Sequence, residues 1–265
     1  MPRSRSTPAV VAERLQKYLA QRGLASRRGV EEWIRAQRLT VNGRVAELGQ
    51  KVTSADDIRL DGRPIRTRAA AAAQVFLFNR SPGDPLREST AERAALLERL
   101  PKSAGRRFIA VSPMPGVDGG AELVTSDGAL AARLQRAIHR LPTEFTVRVR
   151  GLLGPDQVAG VKSGKLDRPA RLVVDSLDAS EAESEAANRW YALVTRGASG
   201  KDIRQLFERQ GCLVSRVMRV AIGGVELDKG LARGQYRQLT DEEIESLLAA
   251  PAPAGATAGP GNAGR

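Results

Sequence analysis

Residues 108–128 run F-I-A-V-S-P-M-P-G-V-D-G-G-A-E-L-V-T-S-D-G, from Phe108 to Gly128. Phe108 to Val111 is a short apolar run that reads as a buried strand. Pro113, Pro115, Gly116, Gly119 and Gly120 forbid a regular element directly behind it. A rigid loop therefore follows a strand. Ala121 to Thr125 resumes an extended apolar pattern, Ser126-Asp127-Gly128 closes it as a turn, and Ala129 to Ile138 carries helical spacing.

Outward from that stretch the chain keeps alternating between strand and helix. Upstream, Val75 to Phe78 is an apolar strand, Glu92 to Leu100 has helical spacing, and Lys102 to Arg107 is a basic turn. Downstream, Glu144 to Gly151 alternates with one charged face, as a half-buried strand does. Residues 152–165 read as a helix ending at Gly164, Ala170 to Leu177 as a strand, and 178–188 as an acidic, solvated run. Trp190 to Thr195 is a further strand, and the segment after it contains the small, flexible Gly197-Ala198-Ser199-Gly200.

The N-terminal part has a different rhythm. From Glu13 the spacing is helical, with Leu15, Tyr18, Leu19 and Leu24 on one face, and Gly23 ends the helix. Ser26 is a candidate N-cap for a second helix bearing Val30, Trp33 and Ile34. Arg27 and Arg28 fall in its first turn, where they oppose the helix dipole, and an external phosphate would compensate them. Leu39 to Val41, the turn Asn42-Gly43, and Arg44-Val45 form a hairpin, and Asp57 to Leu60 is another strand before the Asp61-Gly62 turn. Residues 66–74 change composition and read as a linker. Residues 1–12 form a basic arm, and 249–265 are rich in Pro and Gly; both are expected to be disordered.

Composition narrows the function. With 42 Lys plus Arg against 30 Asp plus Glu, the net charge is +12 and the pI near 10.7, which favours a polyanionic partner held through phosphate contacts. Cys212 is the single cysteine and His139 the single histidine, so neither an internal disulfide nor a cysteine-rich zinc site is expected. No apolar run has membrane-spanning length, and the start lacks the apolar core of a signal peptide, so a cytoplasmic location is expected.

Both spacing and flanks of Phe108 to Gly128 resemble the catalytic stretch of the RNA pseudouridine synthases of the RsuA/RluB-like family, G-R-L-D-x-x-T-S-G-L-L-L-L-T-x-D-G. Counted back without gaps from Thr125-Ser126-Asp127-Gly128, G-R-L-D falls on Ser112, Pro113, Met114 and Pro115. Proline thus stands at the position of the catalytic aspartate. Asn79, Arg80 and Gly83 match the family's L-N-K-P-x-G. Phe145 takes the tyrosine position of E-Y-x-V-x-V-x-G, and Ile203, Arg204 and Phe207 match E-G-R-N-R-Q-V-R-R-M-F. In that last motif the basic G-R-N-R has become Gly197 to Gly200. Residues 13–65 resemble the RNA-binding module named after the fourth small-subunit ribosomal protein, through R-L-Q-K-Y-L-A, S-R-R, V-N-G and D-x-I-x-x-D-G.

The resemblance implies an α+β chain: a two-helix and hairpin RNA-binding domain over 13–65, then a mixed, mostly antiparallel sheet domain over 75–248. It implies docking on structured RNA, ribosomal RNA or pre-ribosomal particles, through Arg14, Lys17, Arg27, Arg28 and Arg44, by a monomer. The implied reaction turns uridine into pseudouridine without cofactor or metal, using a carboxylate, an arginine paired with it, and an aromatic ring under the base. Arg204 is the arginine candidate and Phe145 the ring candidate. Asp118 is the nearest other acid, yet the loop from Pro115 to Asp118 spans up to about 10 Å, so it serves only if the loop folds back. Without an acid at 115, Arg204 is expected to hold a phosphate or pair elsewhere. Three readings follow: an rRNA-binding member with lost or much reduced isomerase activity, an active synthase with the acid displaced to Asp118, and a regulator binding RNA through its N-terminal module alone.

Overall fold

The computed structural model describes residues 12–65, 74–84, 97, 99–101, 108–167, 172–179 and 188–249. The basic arm, nearly all of the linker, the basic turn at 102–107, most of the Glu92 to Leu100 helix, the acidic run from 180 and the tail from 250 lie outside these residues. The chain divides into two compact units, the second holding Gln74–Arg99, Ile109–Thr125 and everything from Ala129.

The N-terminal unit begins with a difference from the expected helix. Glu13–Arg14 form a two-residue strand, β1, and helix α1 covers Leu15–Gln21. The cause is a competing partner: β1 pairs with Lys51–Val52, and the Leu15 amide donates to the Gln50 carbonyl at 2.8 Å, which holds the entry extended. Helix α2, Arg27–Arg35, is capped by Ser26, whose Oγ accepts from the Gly29 amide at 2.8 Å. Strands β2 (Leu39–Val41) and β3 (Arg44–Val45) form the hairpin, with both turn residues Asn42 and Gly43 at positive φ. β4 is Lys51–Val52, while β5 (Ile58–Leu60) and β6 (Arg63–Pro64) complete a small sheet of order β3-β2-β5-β6. Leu15, Leu19, Val30, Ile34, Leu39 and Ile58 fill its core.

The second unit is a mixed sheet with helices against it. In chain order it comprises β7 (Val75–Arg80), β8 (Ile109–Val111), β9 (Gly119–Thr125), α3 (Gly128–Ile138), β10 (Pro142–Arg150) and α4 (Pro155–Lys162). It continues with β11 (Val173–Ala179), β12 (Asn188–Arg196), α5 (Gly200–Glu208), β13 (Val214–Ile222), β14 (Val225–Glu226), β15 (Tyr236–Gln238) and α6 (Asp241–Leu248). The strand order is β11-β12-β10-β13-β9-β7-β15, with β8 on β9 and β14 on β13. Each described pairing is antiparallel except β9 with β13, a parallel seam of two residue pairs, Met218↔Gly119 and Arg219↔Gly120.

Two cores flank that seam. Phe145, Val147, Val149, Leu193 and Val217 are covered by Ile203, Leu206 and Phe207 of α5 and Val161 of α4. Leu77, Ala121 and Leu123 are covered by Leu130, Leu134 and Ile138 of α3 and Leu247 of α6. At the seam Gly120 has φ +98°, and a Cβ there would lie 2.1 Å from the Arg219 carbonyl oxygen, so only glycine lets the strands meet. The segment before α5 is an ordered cap instead of the expected flexible stretch. Ser199 Oγ accepts from the Asp202 amide at 3.3 Å, and Asp202 accepts from the Ser199 amide at 2.9 Å, the reciprocal bonds of a capping box.

Candidate active site

The loop between β8 and β9 carries Pro115 and Asp118, and its path is set by three buried charges. Glu122 on β9 is 0% exposed and lies between Arg80 on β7 and Arg219 on β13, at 3.1 and 2.7 Å. Their remaining polar atoms hold the loop. Arg219 Nη1 donates to the Ser112 carbonyl at 2.9 Å, and Arg80 Nη2 to the carbonyls of Met114 and Pro115 at 3.3 and 2.8 Å. Glu122 Oε1 accepts from the Met114 amide at 2.8 Å. Ser112 has φ +58°, a conformation that costs a non-glycine residue roughly 1–2 kcal/mol, and the grip on its carbonyl holds it there. Burial lowers the pKa of Arg219, while the neighbouring Glu122 acts in the opposite direction.

The loop does fold back. The Asp118 amide donates to the Pro115 carbonyl at 3.1 Å, closing a turn that brings the two residues within a β-turn's span. Asp118 is completely buried, and its Oδ1 accepts from Arg204 Nη2 at 2.5 Å and from the Val217 amide at 3.2 Å. Oδ2 is buried without a hydrogen-bond partner among the described residues. Arg204, expected to hold a phosphate or to pair elsewhere in the absence of an acid at 115, pairs with Asp118. Its Nη1 also donates to the Val214 carbonyl at 2.8 Å, and its Nε has no partner among the described residues.

The other candidates lie as follows. Pro115 is half-buried against the start of α5, where a Cβ on Gly200 would come within 2.9 Å of its Cδ and 2.5 Å of Met114 Sδ. Phe145, expected as a base-stacking ring, is 1% exposed and packs in the cluster that includes Met114, Ile203 and Phe207, so protein occupies its faces. In the N-terminal unit Arg14, Arg27, Arg28 and Arg44 are exposed, with no acid in the first turn of α2. Lys17 is held by Glu13 at 3.3 Å, a surface pair that competes weakly with any phosphate. The sequence reading passed over Glu122 and the roles of Arg80 and Arg219. The available signal was a carboxylate inside the apolar run Ala121 to Val124, where only a paired charge is tolerated. Separately, a cleft of about 580 Å³ opens where Arg150, Asn188, Glu208, Leu213 and Ser215 meet, and Asp118 does not line it.

Residues 13–58 match the S4 domain. The chain is 37% identical over 243 residues to a ribosomal large subunit pseudouridine synthase B from Pseudomonas aeruginosa, covering 89% of this chain and 62% of that protein. A namesake from Vibrio cholerae is 34% identical, with 89% of this chain and 74% of the relative covered. This chain belongs to the RsuA/RluB-like pseudouridine synthase family. The fold agrees: a solved pseudouridylate synthase superposes with a TM-score of 0.57 at 20% identity, covering 88% of this chain and 99% of that one. Against other synthase relatives the chain spans about half of their length. In this pseudouridine synthase family member, no helix among the described residues is long and apolar enough to cross a membrane.

Proposed function

We propose that this chain acts in the cytoplasm as a monomeric, rRNA-binding member of the pseudouridine synthase family whose isomerase activity is lost or much reduced. One observation carries the reading. By the resemblance, proline occupies the position of the family's acid, and the next acid along the chain, Asp118, is 0% exposed and engaged by Arg204 and the Val217 amide. The reaction breaks the bond from C1′ to N1, turns the base, forms a bond from C1′ to C5, and releases the C5 proton. An acid that takes part must reach the sugar of a flipped-out nucleotide. Absence of a catalytic carboxylate commonly costs on the order of ten-thousand-fold in rate, while binding through the exposed arginines is untouched.

A second reading has its own support. The turn at Pro115 returns a carboxylate to Arg204, which is the acid and arginine pairing that the resemblance implies, and Asp118 Oδ2 has no partner among the described residues. Tritium release from ribosomal RNA labelled at C5 of uridine separates the two. Wild type, Asp118→Asn and Pro115→Asp are incubated with RNA that each is first shown to bind. No release by wild type is expected. Release that disappears in Asp118→Asn would overturn the proposal and make Asp118 the displaced acid.

A further inference from the structure

The half-sheet formed by β11, β12, β10 and β13 buries one face under α4 and α5. Its other face carries residues that belong to neither core cluster. Along β10 the side chains alternate, with Phe145, Val147 and Val149 inward and Glu144, Thr146, Arg148 and Arg150 on the opposite side. Register then places Trp190 of β12 directly beside Arg148, and Arg216 of β13 directly on its other flank. The next row is Ala192, Thr146 and Met218, and Arg150 lies opposite Asn188. All of these residues are half-exposed or exposed.

This row departs from what stabilises a sheet. Like charges directly opposite each other on one face repel, so Arg148 beside Arg216 is locally unfavourable. Among the described residues no carboxylate pairs with Arg148, Arg150 or Arg216. Among the described residues the acids toward this face are Asp178, across from Ala192, and, in other rows, Glu144 at the far end of β10, Glu226 across from Ala221, and Asp175, which is held by Arg196. Hence a half-buried aromatic ring sits among three guanidinium groups on this face. That combination suits bases stacked on an aromatic, with the adjoining phosphates neutralised by arginine.

We propose that this face is a second RNA-binding surface, specific for single-stranded RNA, with a base stacked on Trp190 and phosphates held by Arg148, Arg150 and Arg216. The inference rests on the rRNA-binding reading and adds to it. The N-terminal arginines grip structured RNA, and this face takes an unpaired segment of the same molecule. A duplex buries its bases in the stack and offers Trp190 no ring.

The test uses the full chain with Trp33→Phe, which leaves Trp190 as the sole tryptophan. Titration with a short oligouridine strand should quench Trp190 emission, and an RNA duplex of equal length should not. Arg148→Ala with Arg216→Ala should weaken oligouridine binding on the order of ten-fold or more and lower the salt slope by about 0.7 per lost phosphate contact. Trp190→Ala should match that loss, and Trp190→Phe, which keeps a ring, should recover most of it. Unchanged emission on RNA that is demonstrably bound, or equal quenching by duplex, overturns the proposal. If Arg27→Ala with Arg28→Ala abolishes all binding while Trp190 stays silent, this face fails and the rRNA-binding reading stands. Binding to no RNA at all ends both.

Discussion

At Glu122 a single carboxylate balances two guanidinium groups inside a β-sheet. Removing one member of such a buried network leaves charges without compensation, and the penalty is about 3–5 kcal/mol. Glu122→Gln should therefore lower unfolding stability by about that much in urea titrations. Glu122→Leu should do no better, because both arginines keep their charge. A milder residue-scale effect concerns Cys212, whose thiol pKa burial pushes up. The native protein should accordingly react with a disulfide reagent at pH 8 more slowly than the unfolded chain, read from thiol release. Legibility at this scale was uneven. That proline stands at the family's acid position is what the resemblance implied. The pairing of Asp118 with Arg204 could not be read in advance, because it depends on a turn closed by a backbone bond that any residue at 118 could make.

Helix α5 carries Arg204, and its start depends on Ser199. Ser199→Ala removes the cap and should cost about 1 kcal/mol by thermal or urea unfolding. Helix α6 starts with another capping box, in which Thr240 Oγ1 accepts from the Glu243 amide at 3.2 Å and Glu243 Oε2 from the Thr240 amide at 2.8 Å. Arg237 grips the same carboxylate, and that bond, ahead of the Thr240 amide, holds the Glu243 pKa below its usual value of 4.5. The sign follows from linkage. A depressed carboxylate stabilises the fold at pH values above 4.5, and that stability is lost as pH falls through the folded pKa. Between pH 7 and pH 3, unfolding midpoints should fall less steeply in Glu243→Gln than in wild type. Elements with local signals were the readable ones: the Ser26 cap, the Asn42-Gly43 turn and the alternation of β10 all come from neighbouring residues. The two-residue β1 was not readable, since its cause is a partner at Gln50 to Val52, far along the chain.

Across the whole molecule, charge and topology set the behaviour. A chain of net charge +12 should bind ribosomal RNA with a steep salt dependence, and Arg27→Ala with Arg28→Ala should reduce the slope of log K against log salt by about two if each arginine meets one phosphate. Filter binding across a salt series measures it. The α+β class and the mixed sheet could be anticipated from the resemblance. The parallel seam between β9 and β13 could not, because period-two patterning does not reveal which strand lies beside which. A last consequence concerns Gly200, packed so tightly on Met114 and Pro115 that a side chain there has no room. It falls in the segment where the resemblance has basic residues. A side chain introduced at 200 must therefore displace Met114 or Pro115, and with them the loop whose turn returns Asp118 to Arg204.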